Sequence, residues 1–169
     1  MTSHEKELGD QEVVKIEPSI EENPEVLLAG CPQFGNPKEV CPGFAWNRLH
    51  EQREKIGLPK CEDTGYGVEV YPPYFPNENH EFYYFACFKA DSITEKDPRF
   101  FTKYLPKCTI AIFNVPNNDY SKFPSVFHYA YQEWLPNSDY KMSFPFDFER
   151  YINCGIQKTE VCIPIENRW

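Results

Sequence analysis

The sequence predicts an α+β domain of mainly antiparallel strands and two helices. Three observations carry that reading. The chain has 169 residues, which suits one domain, or two small halves sharing a core. Its apolar runs switch between period two and period 3.6. The order strand, helix, strand, strand occurs twice, with the helices beginning roughly 75 residues apart.

Residues 1–10 are charged and lack an apolar run, so they read as a disordered tail, leaving 11–169 as one domain with halves of about 11–100 and 101–169. "EVVKIEP" (12–18) is a short β-prone run ended by Pro18, and "EVLLAG" (25–30) is a second one closed by Gly30. "CPQFGNPKEVCPG" is rich in Pro and Gly and reads as a loop. A helix fits 43–57, where Phe44, Ala45, Arg48, Leu49 and Ile56 form a partial stripe and Gly57 and Pro59 stop it. "GYGVEVYPP" (65–73) alternates, and "HEFYYFACFKA" (80–90) is nearly continuous aromatic; Pro72, Pro73 and Pro76 make their connection a wide hairpin loop. "KCTIAIFNVP" (107–116) is a further strand. The second helix lies within 119–139, where Phe123, Val126, Phe127, Ala130, Tyr131 and Trp134 share one face, Asp119 or Ser121 caps the start and Pro136 ends it. "SFPFDFERYI" and "TEVCIPIE" are the last two strands.

The formal charge is −9, which argues against direct nucleic-acid binding, because that affinity comes mainly from clustered Lys and Arg. It is compatible with attracting cations. Aromatic residues make up 17% of the chain, enough both to fill a core and to line a pocket for flat ligands. The seven cysteines are Cys31, Cys41, Cys61, Cys87, Cys108, Cys154 and Cys162; the odd count and the lack of a C-x-x-C pair fit neither a disulfide framework nor a zinc site. No segment approaches the roughly 20 apolar residues that span a membrane. These features predict a reducing, cytoplasmic setting. The histidines are scattered without metal spacing, and the sequence holds no P-loop, dinucleotide fingerprint or nucleophile elbow, so neither metal nor cofactor is expected.

Four stretches in the C-terminal third, "CTIAIFNV", "YAYQEWLPNSDY", "FERY" and "EVCIPI", occur in an order and at spacings that resemble the GyrI-like small-molecule-binding domain. This is the effector-binding domain of AraC-type and multidrug-sensing transcription activators. "LLAG", the helix containing Trp46, "GYGVEVY" and "EFYYFACF" agree more loosely, so the resemblance spans about residues 12–166. It implies duplicated strand–helix–strand–strand (SHS2) modules with a ligand cleft between them. In the multidrug-sensing members, rings and a buried glutamate hold flat lipophilic cations; the family glutamate matches Glu149, and the acid before the last strand matches Glu160. The aromatic often found two places after that acid is Cys162 here. With the first strand near residue 12, no DNA-binding helix-turn-helix is expected before the domain. The resemblance therefore implies a freestanding module that senses or sequesters small aromatic or cationic compounds. Two alternatives accompany it: a hydrolase of strained cyclopropane-bearing DNA-alkylating natural products, and a gyrase-inhibitor-like module whose partner is a protein.

Alternation places Phe144, Phe146 and Phe148 on one strand face, with Asp147, Glu149 and Tyr151 on the other. In the last strand Val161, Ile163 and Ile165 oppose Glu160 and Cys162. Phe and aliphatic residues are expected to pack under the helices, so that Glu149, Tyr151, Glu160 and Cys162 share the second face. Periodicity leaves that face open as either solvated surface or cleft; the resemblance favours the cleft. There a carboxylate walled by rings could pair with a cation, or take a raised pKa and serve as general acid or base, with Glu160 as the second carboxylate. Trp46, Tyr71, Tyr84, Phe113 and Trp134 complete the set of candidate ligand contacts, each also readable as core.

Overall fold

The computed structural model describes residues 15–61, 63–76, 78–92 and 97–169. The strands are β1 (Ser19–Asn23), β2 (Val26–Gly35), β3 (Thr64–Val70), β4 (Phe82–Lys89), β5 (Phe101–Leu105), β6 (Cys108–Asn114), β7 (Tyr140–Met142), β8 (Phe146–Ile152) and β9 (Lys158–Asn167). They form one antiparallel sheet in the order β1-β6-β9-β8-β3-β4-β2-β5, with β7 added beside β9. Helix α1 (Pro42–Lys55) lies on β2 and β4. The second helix begins as α2 (Phe123–His128), passes through a π-helical stretch, Tyr129–Trp134, and ends as α3 (Leu135–Asn137). The expected α+β class, with two main helices on an antiparallel sheet, is the fold observed.

The strand order reads as a palindrome. β6, α2, β8 and β9 repeat the arrangement of β2, α1, β3 and β4, and β3 pairs with β8 at the junction, Gly67 opposite Glu149. Before each repeat stands one strand that crosses to the other half: β1 pairs with β6, and β5 with β2. Both helices cover the same face. Ala45 and Leu49 of α1 pack on Ala29, Tyr84, Ala86 and Phe88 of the sheet. Val126 and Ala130 of the second helix pack on Ala111, Phe113, Val161 and Ile163 of the sheet. The other face curls on itself, so that Leu28 and Leu105 from one end of the order share a core with Ile110 and Ile112 from the other.

Register decides which residues share a face, and it corrects one expectation. Antiparallel partners project to the same side. Phe148 pairs with Cys162, and Glu149 with Val161. The Phe146 and Phe148 rings therefore fill the curled core, while Val161 and Ile163 pack under α2 on the side of Glu149. Glu160 and Cys162 point away from Glu149.

Other differences are local. Of the run 12–18, positions 12–14 lie outside the described residues and 15–18 form no strand; β1 starts after Pro18. The expected tail, 1–10, also lies outside them. β2 continues to Gly35 where a loop was expected. β5 pairs only with Val26–Gly30, so the end of β2 that holds Pro32 pairs with β4 alone and is an edge on its other side, where proline is tolerated. Cys61 and Cys154 form a disulfide, which corrects the expectation of wholly reduced thiols. The two lie 93 residues apart in sequence, beyond any local spacing rule. Cys31, Cys41, Cys87, Cys108 and Cys162 are free. Among the described residues, no helix is long and apolar enough to cross a membrane.

Candidate functional site

The sheet narrows to glycine where the halves meet. A Cβ at Gly65 would stand 2.9 Å from the Trp46 ring, and one at Gly67 would stand 2.5 Å from a Glu149 carboxylate oxygen and against the Tyr84 hydroxyl. Bare backbone at β3 thus leaves room for large side chains from α1, β4 and β8 to meet above it. The result is a cleft of about 600 Å³ between α1 and the start of the second helix, floored by Gly65 and Glu149.

Its walls are rings. Trp46 meets Phe88 and Tyr151 edge-on, with centroids 5.7 and 5.4 Å apart. Tyr120 and Phe123 pack against the far side of Tyr151. His50 stands one turn after Trp46; its Nδ1 lies 2.6 Å from the Lys60 carbonyl, an acceptor that holds the proton on that nitrogen. The Cys61–Cys154 disulfide closes one rim by joining the segment after α1 to the β8–β9 turn.

Glu149 is the charged group of this cleft and is 6% exposed. Tyr84 and Tyr151 donate to its Oε2 at 3.0 and 2.5 Å. The Tyr84 oxygen in turn accepts from Trp46 Nε1 at 3.0 Å. None of the ion pairs among the described residues includes Glu149. Burial first, and the nearby Glu69 charge second, push its carboxyl up to about 7, against the pull of the two phenols.

Along the sheet from Glu149 lies a second acid pair. Glu69 and Asp147 are direct cross-strand partners on the helix-covered face. The Tyr71 hydroxyl bridges them, 2.9 Å from Glu69 and 2.7 Å from Asp147, and Tyr131 donates to the same Asp147 oxygen. One hydroxyl proton cannot serve two carboxylates, so one acid carries its own. Asp147, fully buried, is held well above the usual carboxylate range by burial and by Glu69.

Of the residues singled out from sequence, Trp46, Glu149 and Tyr151 line the cleft, and Tyr84 supports Glu149 from beneath. Tyr71 stands with Asp147 at a separate cavity. Phe113 and Trp134 pack on each other, centroids 5.3 Å apart, in the core under the second helix. Cys162 is buried in the curled core. Glu160 is neutralised on the opposite face by Arg150 at 2.6 Å and Lys158 at 3.0 Å. The acid that acts on Glu149 is Glu69, which sequence reasoning passed over, as it did His50, Phe88, Tyr120, Gly65 and Gly67. Only the G-x-G spacing of "GYG" beside an alternating strand hinted at a close approach there. Among the described residues no group of acidic, His or Cys side chains is placed to hold a metal ion.

The fold is shared with solved proteins of low sequence identity. A Vibrio cholerae integron cassette protein is 17% identical, with a TM-score of 0.59 over 89% of this chain and 96% of its own. A Staphylococcus aureus protein assigned to bacterial transcription regulation is 16% identical, with a TM-score of 0.60 over 90% of this chain and all of its own (100%). SAV2435, solved bound to tetraphenylphosphonium, is 16% identical, with a TM-score of 0.59 over 89% of this chain and 94% of its own. No protein in the curated sequence comparison matches. Residues 16–166 match the GyrI-like small-molecule-binding domain, nearly the whole chain, taking in β2–α1–β3–β4 and all of its repeat except the last residue of β9. The chain belongs to the GyrI-like small-molecule-binding domain family.

Proposed function

We propose that this protein binds small, aromatic, lipophilic cations in the Glu149 cleft, as a sensing or sequestering module. One observation carries the reading: a buried carboxylate ringed by Trp46, Phe88, Tyr120, Phe123 and Tyr151, with no basic side chain paired to it among the described residues. Such a site lacks a positive charge and offers ring faces to receive one, each cation–π contact contributing about 0.5–2 kcal/mol. Tetraphenylphosphonium, carried by a protein of the same fold, is a probe of this chemistry. Titrating it while following Trp46 fluorescence is the test. Saturable quenching that weakens strongly in Glu149→Gln supports the reading; equal affinity of the two proteins would remove the carboxylate from it.

A second reading is favoured by the carboxyl held near 7, the range of a general base at neutral pH. Glu149 would take a proton from water as the water oxygen bonds to one carbon of a strained ring; a C–C bond to that carbon breaks, its electron pair stays on the other carbon, and that carbon takes the proton back from Glu149. Glu160 has no part in such a step, since it faces the other way; the second acid would be Glu69. Incubation with a cyclopropane-bearing alkylator decides between the readings, because binding without product leaves only the first.

A further inference from the structure

The palindromic sheet gives the second half its own version of the cleft. The Glu149 cleft is lined by α1, by the start of β3 and by the end of β8. A second cavity, of about 780 Å³, is lined by the second helix, by the run into β8 and by the run out of β3. The two share no lining residue. Helix positions four apart supply the wall in each: Trp46 and His50 in the first, Phe127 and Tyr131 in the second. Phe127 and Tyr131 are nearly parallel, 3° between planes, and Tyr71 and Phe75, with centroids 4.8 Å apart, also line the cavity. Two aromatic pairs thus line one slot, and Tyr71 and Tyr131 meet at the Asp147 carboxyl.

Polar groups at this cavity are left without partners. Ser143 Oγ, which belongs to its lining, is a buried oxygen with no hydrogen-bond partner. So is Oδ1 of Asp147, the carboxyl whose other oxygen holds the hydroxyls of Tyr71 and Tyr131, both of which line the cavity. A buried hydroxyl without a partner forgoes the hydrogen bonds it makes in water, and rotation about χ1 turns Ser143 Oγ toward a ligand group in the cavity. The local setting differs from the first cleft in charge: no carboxylate is among the lining residues, Asp147 sits behind its phenols, and the slot presents rings with His128 and Gln132.

We propose that this cavity is a second, independent ligand site, taking a neutral, flat aromatic molecule whose hydroxyl or amine pairs with Ser143. A cation in the Glu149 cleft and a neutral aromatic in this one can be held together, since no side chain lines both. The proposal does not depend on what the first cleft binds.

Isothermal titration with 2-naphthol tests it, on the intact protein, with and without saturating tetraphenylphosphonium. The expected result is one 2-naphthol per chain whether or not the cation is present. Ser143→Ala should weaken it by about two- to tenfold, the worth of one hydrogen bond. Ser143→Leu, which fills the slot, should weaken it more than tenfold, with tetraphenylphosphonium affinity within twofold of wild type. Displacement of 2-naphthol by the cation, no saturable 2-naphthol binding, or unchanged affinity in both Ser143 variants overturns the proposal. If tetraphenylphosphonium does not bind, the reading of the first cleft fails alone, and the Ser143 variants still decide this one.

Discussion

At the scale of single residues, Glu149 is set by its neighbours in space rather than by its neighbours in sequence. Two phenols stabilise its ionised form, while burial and Glu69 oppose it. Removing the Tyr84 hydroxyl shifts that balance. Tyr84→Phe should raise the Glu149 pKa further, leave Trp46 Nε1 without its acceptor and cost about 1–3 kcal/mol of stability, read by urea melts and by the midpoint of a pH titration of ligand binding. Gly67 is the residue on which the packing turns. A methyl there meets the Tyr84 hydroxyl and Glu149 together, both held by hydrogen bonds and unable to swing aside. Gly67→Ala should cost about 1–3 kcal/mol and weaken cation binding, whereas Gly43→Ala, in the first turn of α1 with nothing within 4 Å of the added carbon, should cost no stability. Calorimetry on both variants checks the pair.

At the scale of elements, strand alternation was legible and register was not. Reading "FPFDFERY" two by two separates the Phe rings from Glu149, and the structure keeps them on opposite faces. The pairing of β8 with β9 depends on the turn between them, where Asn153, Cys154 and Gly155 all take positive φ. A shift of one residue there exchanges the faces of β9, which is why Glu160 reads from sequence as a neighbour of Glu149 and stands instead beside Arg150. The second helix shows a similar limit. Its stripe identifies Val126 and Ala130 as core, and Trp134 stays on that core through the π-helical stretch, but the stripe does not tell which cavity each ring at its edge meets. Phe123 reaches the first cleft, while Phe127 and Tyr131 reach the second cavity. The wall of α1 is more simply tested: Trp46→Ala should weaken tetraphenylphosphonium by about 0.5–2 kcal/mol, a factor of roughly two to thirty, in the same titration.

At the scale of the whole molecule, the repeated order was visible in sequence because each unit has its own helix and strands. The crossing of β1 and β5 between halves was not, since β5 is a short, largely exposed edge strand without an apolar pattern. The same architecture gathers Glu69, Asp147 and Glu149 on β3 and β8 beneath the helices, all raised above their ordinary values. Carboxyls with raised native pKa values favour folding while protonated. That stability is fully present below the unfolded value near 4.5 and is lost as pH rises through the folded one, here about 7 for Glu149. Glu149 alone accounts for about 3 kcal/mol over that window. Denaturation series from pH 5 to 8 should show wild-type stability falling relative to Glu149→Gln, and a bound lipophilic cation should reverse the fall. If Glu149 binds the proposed cation as a carboxylate, binding must expel its proton. The most direct measurement is calorimetric titration of tetraphenylphosphonium at pH 6 and pH 8 in buffers of different ionisation enthalpy. Affinity should rise about tenfold per pH unit below 7 and level off above it, with close to one proton released at pH 6 and neither effect in Glu149→Gln. Affinity independent of pH, with no proton released at pH 6, would contradict it.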